Sequence, residues 1–235
     1  MKLPATMCPK PDLARHIDSA RLYENEKIVS DAVRDSGVSR SEVFVSSLDA
    51  IDDSLKNFGF DYLDLYLVHS PLPGKEKRMA AWRALLAARD AGKIRTVGVS
   101  NYGIKHLEQI REAGLEMPAV NQVEIHPLCQ QRDIVRWCRE NGIAIEAYAP
   151  SIRADFSNPV LQDISTKYQR DPPQVLVRWS LQHGFIPLPK SSNPDRIRSN
   201  AQVFDFEISE ADMKRLDALD RGKAGGISWN PVDAE

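Results

Sequence analysis

Seven apolar runs recur along the chain, and each gives way to polar side chains at its C-terminal end. His16-Ile17-Asp18 leads to Tyr23. Residues 43–45 reach Ser46-Ser47, residues 63–68 reach His69, and residues 94–99 reach Ser100-Asn101. Residues 119–125 carry Gln122 and Glu124, residues 143–147 reach Tyr148, and residues 185–188 lead to Lys190-Ser191. Short runs rich in Val, Ile, Leu and Tyr predict strands. Helical spacing fills the intervals at 25–36, 49–58, 76–91, 104–113, 131–140, 158–168, 172–182, 195–202 and 209–219. Gly37, Gly59, Gly92, Gly114 and Gly142 stand as stops after five of these, and Ser209-x-x-Asp212 is a capping signal before the last.

Strands that alternate with helices pair in parallel, and the nearly continuous apolar run at 63–68 fits a strand covered on both faces. Polar chemistry at strand C-termini is where a (β/α) barrel keeps its active site. The pattern therefore predicts an α/β fold of the (β/α)8 TIM-barrel type, incomplete, with seven recognisable strands. A doubly wound sheet would want a Gly-rich turn after its first strand, and no G-x-G-x-x-G occurs. With 235 residues the chain has about the size of one barrel. It is read as a single domain, 1–235, with an atypical N-terminal segment at 1–15 and a tail loop at 221–235. Trp82, Trp137 and Trp179 fall in helical patterns and are read as packing residues; Glu124 and His126 are read as structural hydrogen-bonding groups.

Composition narrows the partners. A net charge of −2, with basic and acidic residues interspersed, gives no footprint for nucleic acid or an anionic membrane. No apolar run is long enough to span a bilayer, and residues 1–10 lack an apolar signal core. Cys8, Cys129 and Cys138 have neither the number nor the spacing of a disulfide framework or a structural zinc site, so no metal is expected. A reducing cytoplasm is the expected setting.

Several motifs, in this order, resemble the aldo-keto reductase family: His16-Ile17-Asp18-Ser19-Ala20 with Tyr23 and Asn25-Glu26; Asp61 through His69; Gly92-Lys93-Ile94-Arg95 to Ser100-Asn101; Asn121-Gln122-Val123-Glu124; Ala147-Tyr148-Ala149-Pro150; and Pro189-Lys190-Ser191 through Asn200. The resemblance runs from about His16 to the C-terminus. It implies a barrel that moves hydride from NADPH to the carbonyl of a small aldehyde or ketone. On it, Tyr23 is the general acid, His69 orients the carbonyl, and Asp18 supports them. Ser100, Asn101 and Gln122 hold the nicotinamide carboxamide, a task suited to groups that both donate and accept. Tyr148 is the stacking aromatic. Lys190, Ser191 and Arg196 surround the adenosine 2′-phosphate, which selects NADPH over NADH, and Asn200 contacts adenine. Trp229, in the tail, lines the substrate pocket. Short segments after His69 and Tyr148 imply an open pocket for varied small carbonyl compounds.

The sequence departs from the family pattern twice. A lysine is expected after Phe44-Val45-Ser46-Ser47, and Leu48 stands there, with Asp49 already opening a helix. A first strand is expected before His16, where residues 1–15 hold three prolines and no strand–helix unit. Without its lysine partner Tyr23 still carries its proton at neutral pH, since a free phenol has a pKa of about 10, but no cation steadies the phenolate. The chain is therefore expected to be an impaired reductase; the alternative is a non-catalytic, NADPH-binding or regulatory relative. A monomer is expected, and a missing strand leaves unpaired edges that offer a route to self-association.

Overall fold

The structure, a computed structural model, describes residues 15–48 and 51–235. The segment 1–14, with Cys8, and Asp49, the expected start of a helix, lie outside the described residues. Two compact units are present: one takes in the described residues up to Val120 with 192–194 and 231–235, the other 121–191 with 195–230.

The first unit runs β1 (His16–Asp18), α1 (Glu26–Asp35), β2 (Phe44–Leu48), α2 (Ile51–Phe58), β3 (Leu63–Val68), α3 (Lys75–Asp90), β4 (Ile94–Ser100) and α4 (Ile104–Glu112). Its strands pair in chain order and in parallel, with Asp18 opposite Ser46, Ser46 opposite Leu65, and Leu65 opposite Thr96. Side chains alternate along a strand. One face of the ladder therefore carries Asp18, Ser46, Leu48, Leu65 and Leu67, and the alternation continues to His69. Leu48, Leu65, Leu67, Ala20 and Val120 close into an apolar cluster. Trp82 and Phe58 are fully buried beneath the helices.

The second unit begins within β5 (Val120–Glu124) and continues through α5 (Arg132–Glu140), β6 (Ala144–Tyr148), α6 (Pro159–Tyr168), α7 (Pro172–Gln182), β7 (Ile186–Leu188), α8 (Pro194–Ala201) and α9 (Glu210–Asp217). β6 and β7 are parallel, with Glu146 opposite Ile186 and Tyr148 opposite Leu188. Pro187 sits in β7 because its partner bonds need no N–H from every residue of a short strand. The core holds Trp179, Leu161, Ile164, Val175 and Leu176. Asn158 caps α6, its Oδ1 accepting from Val160 N–H at 2.9 Å, and Ser209 caps α9.

The element order is that of the (β/α)8 barrel class with seven strands among the described residues, as the apolar runs predict. Three details differ. β2 continues through Ser46-Ser47 to Leu48, because all of its last four residues are buried and ladder-bonded. Trp137 is only half-buried, since it sits on the flank of α5 rather than its inner face. The tail at 221–235, read as a loop, is instead packed. Its Gly225 leaves no room for a Cβ against the carbonyl of Leu128, and Gly103 leaves none against the carbonyl of Val232. His106 accepts from Gly103 N–H at Nδ1 (3.0 Å), so Nε2 carries the hydrogen and donates to Ala234 O at 2.7 Å. Buried Arg78 donates to Glu235 O at 2.6 Å.

Gly98 in β4 marks the tightest strand contact of the first unit: a Cβ there would meet Leu67 Cδ2 at 2.7 Å and Val120 O at 2.8 Å. Gly98→Ala is expected to lower stability by about 1–3 kcal/mol through overpacking, read as a fall in urea midpoint without a change in slope. An unchanged midpoint would contradict the packing described.

Candidate active site

In the first unit the predicted residues stand at the ends of the strands. Asp18 closes β1, and its Oδ1 accepts from Ser46 Oγ at 2.8 Å. It caps no helix. On the other side of β2, Ser47 Oγ donates to Glu26 Oε1 and Asn57 Nδ2 to Glu26 Oε2, both at 2.9 Å. Tyr23 ends a 3-10 turn, Arg21–Tyr23, where its N–H donates to Ala20 O at 2.9 Å. The residue is 51% exposed. Beside it Arg21 pairs with Asp53 at 3.0 Å, an exposed ion pair.

His69 follows β3 directly. Its carbonyl accepts from Asn101 Nδ2 at 3.3 Å, and the same nitrogen donates to Ser100 Oγ at 3.0 Å. The geometry thus joins His69, Ser100 and Asn101. Asn101 is buried with φ +61°, a left-handed conformation that asparagine tolerates better than most residues and that costs backbone energy. Where the sequence resemblance leads one to expect a lysine, Leu48 is 3% exposed within its apolar cluster.

In the second unit Gln122, on β5, donates from Nε2 to Glu146 Oε2 on β6 at 2.9 Å, with both side chains buried. Tyr148, the last residue of β6, donates its hydroxyl to the carbonyl of Trp229 at 2.8 Å. Trp229, whose carbonyl is thus held, is 47% exposed. Lys190 and Ser191 follow β7. Arg196 lies in the first turn of α8 and Asn200 one turn on, which puts them on the same helix face. Lys190 precedes this helix by four residues, and Arg196 shares its first turn with Asp195.

Glu124 is the deepest ionisable group of this set. Its Oε1 accepts from Ile227 N–H at 2.6 Å and from His126 Nε2 at 2.9 Å, and its Oε2 from Ser228 N–H at 3.1 Å. Burial pushes this carboxyl up, but the bonds from His126 and the two backbone N–H groups outweigh it and leave it below the usual range. Cys129 and Cys138 are buried, and burial raises their thiols to about 12 and about 11, so neither supplies a thiolate. Two partners escaped the sequence reading, Glu146 and the tail backbone at Glu124. A lone carboxylate inside the apolar run at 143–147 was the available signal for the first. The described helices include none long and apolar enough to cross a membrane.

Comparison with known proteins bears on this arrangement. The model of the Aldo/keto reductase family matches residues 14–151 and 156–221. A glyoxal reductase of Bacillus subtilis (strain 168) is 41% identical over 225 residues, spanning 90% of this chain and 81% of the relative. Among solved structures, MGS-M4, an aldo-keto reductase from a Medee basin deep-sea metagenome library, superposes with a TM-score of 0.88 at 35% identity, covering 93% of this chain and 85% of that one. A mutant of Gox0644 in complex with NADPH superposes with a TM-score of 0.87 at 33% identity, covering 94% and 84%. The chain belongs to the aldo/keto reductase family of oxidoreductases.

Glu124 yields a test. A carboxyl whose folded pKa is depressed stabilises the fold above its unfolded pKa of about 4.3, and that contribution fades as pH falls through the folded value. Glu124→Gln sets an amide N–H against a backbone or His126 donor and is expected to cost about 1–3 kcal/mol at pH 7. The gap from the unaltered protein should narrow between pH 5 and pH 3 in thermal melts, and a pH-independent gap would refute the assignment.

Proposed function

We propose that the chain binds NADPH and reduces small aldehydes and ketones slowly, because Leu48 occupies the place of the family's catalytic lysine. The fit to the dinucleotide rests on the donor set. Ser100, Asn101 and Gln122 supply hydroxyl and amide groups already held by neighbours, Tyr148 supplies a ring at a strand end, and Lys190 with Arg196 supplies two cations at the start of α8. Asn200 would meet adenine, and Ser191 would add a hydroxyl beside the phosphate-binding pair. When bound, NADPH supplies hydride.

The protein's own part is the proton and the orientation. Tyr23 donates its phenolic proton to the carbonyl oxygen, and its exposure gives that oxygen access. His69 orients the same oxygen, and its backbone is fixed through Asn101. Asp18, bonded to Ser46 rather than to a lysine, steadies the floor of the site. Trp229 borders the substrate. A general acid contributes roughly 10²–10⁴-fold, and a phenol losing its proton without an adjacent cation realises less of this. The small carbonyl substrate, a cytosolic setting and a monomer that self-associates through a strand edge belong to the same reading.

The observation that carries the proposal is the buried Gln122 amide held on β5, in a chain that belongs to this family and has Lys190 after β7 and Arg196 in the first turn of α8. Leu48 in its apolar cluster favours a second reading, NADPH binding without turnover. Fluorescence titration with NADPH and a turnover assay with a small aldehyde separate the two, since binding with no measurable turnover selects the second. Lys190→Ala with Arg196→Ala is expected to weaken NADPH by about tenfold or more, each charge-assisted bond being worth roughly 1.5–3 kcal/mol. NADH should change little, and equal losses for both coenzymes would defeat the phosphate assignment. Leu48→Lys is expected to raise aldehyde-dependent NADPH oxidation by about 10²-fold while lowering Tm, because it places an ammonium in an apolar cluster. Leu48→Met should do neither, and a Leu48→Lys protein that folds, binds NADPH and gains no rate would count against the lysine argument.

A further inference from the structure

We propose that Glu146 fixes the amide orientation of Gln122 and so makes the coenzyme site selective for a head group that donates a hydrogen bond. The inference rests on the reading that Gln122 faces the nicotinamide carboxamide, and it names what that reading leaves open, which end of the Gln122 amide does the facing.

Glu146 sits in the middle of β6 at 1% exposure, between Ile145 and Ala147. A carboxylate at such a place is costly, and an apolar side chain would pack there as its neighbours do. Among its contacts is the 2.9 Å bond from Gln122 Nε2 to Oε2. A glutamine amide has one end that donates and one that accepts, and a hydroxyl or amide neighbour would satisfy either orientation. A carboxylate accepts only. The amide end turned to Glu146 must therefore be the NH₂, and Oε1 is turned the other way as an acceptor. Glu146 and Tyr148 share one face of β6, being two residues apart. The carboxylate thus lies one pleat below the aromatic proposed to stack on the nicotinamide ring, and the amide it orients is carried on β5. An acceptor so fixed suits the NH₂ of a carboxamide and offers nothing to an acetyl group, whose methyl has no hydrogen to donate.

The test compares NADPH with its reduced 3-acetylpyridine analogue, which replaces the carboxamide NH₂ by methyl, and measures Kd for each by fluorescence titration. The unaltered protein should prefer the carboxamide by about tenfold, the equivalent of one hydrogen bond. In Glu146→Gln, residue 146 can donate as well as accept, Gln122 is free to turn over, and the ratio should fall towards one. The exchanged pair Gln122→Glu with Glu146→Gln again presents an acceptor outward, and the ratio should return, a rescue that a merely structural role for Glu146 would not produce. Binding of 2′-phosphoadenosine diphosphate ribose, which lacks the nicotinamide, should be the same in all three proteins and reports that each is folded. A ratio unchanged in Glu146→Gln, or not restored in the exchanged pair while the nicotinamide-free fragment still binds, overturns the role of Glu146 alone. An unaltered protein that binds neither coenzyme overturns the NADPH reading and this inference with it.

Discussion

The polar side chains that end the strands do so inside an apolar layer, and a buried polar group is tolerated there only when another group meets it. That requirement organises the molecule. Asp18 is met by Ser46, Ser47 by Glu26, Asn101 by Ser100 and the His69 carbonyl, Gln122 by Glu146, and Glu124 by His126 and the tail backbone. Each pair is short, and each fixes a group that the strand alone would leave free to rotate. A ladder of parallel strands brings the ends level, and the pairs then turn a row of polar residues into a set with defined donors and acceptors. Side chains held in this way before a ligand arrives lose little freedom when it binds, which is how preorganisation raises affinity.

Leu48 shows the same constraint from the other side. A lysine there would need a carboxylate, and Asp18 lies on the same strand face, two residues back along the register. With leucine in its place, Asp18 is met by a hydroxyl, and the upper part of that face closes with Ala20, Leu65, Leu67 and Val120. Both arrangements satisfy burial. They differ in chemistry: one holds a cation next to the acid, the other a dry apolar wall. The leucine spares the fold a buried ammonium, at a position where the reaction would feel the change strongly.

Much of the architecture was legible in the residues because its signals are local. Period, glycine stops and caps place most helix bounds within one or two residues, as α7 and α6 show. The strand ends were legible because polarity changes abruptly there. What was not legible is pairing at a distance. Gln122 and Glu146 lie 24 residues apart and Glu124 and Ile227 lie 103 apart, so no window along the chain contains both partners. The extent of β2 was misjudged for a related reason. Ser46 and Ser47 resemble a turn by composition, yet Asp18 and Glu26 satisfy their hydroxyls and let them stay in the strand. Gly103 and Gly225 read as ordinary loop glycines, and only the approach of a distant carbonyl gives them a reason.

The tail carries the last consequence. Many of its contacts are made through its main chain: Ile227 and Ser228 give their N–H groups to Glu124, Trp229 gives its carbonyl to Tyr148, and Ala234 and Glu235 give theirs to His106 and Arg78. Bonds to N–H and C=O hold a segment in place without specifying its side chains. Trp229 is held at its carbonyl and is 47% exposed. Through its carbonyl, position 229 is tied to Tyr148, the last residue of β6, so a rearrangement of the tail backbone would be felt at that strand end.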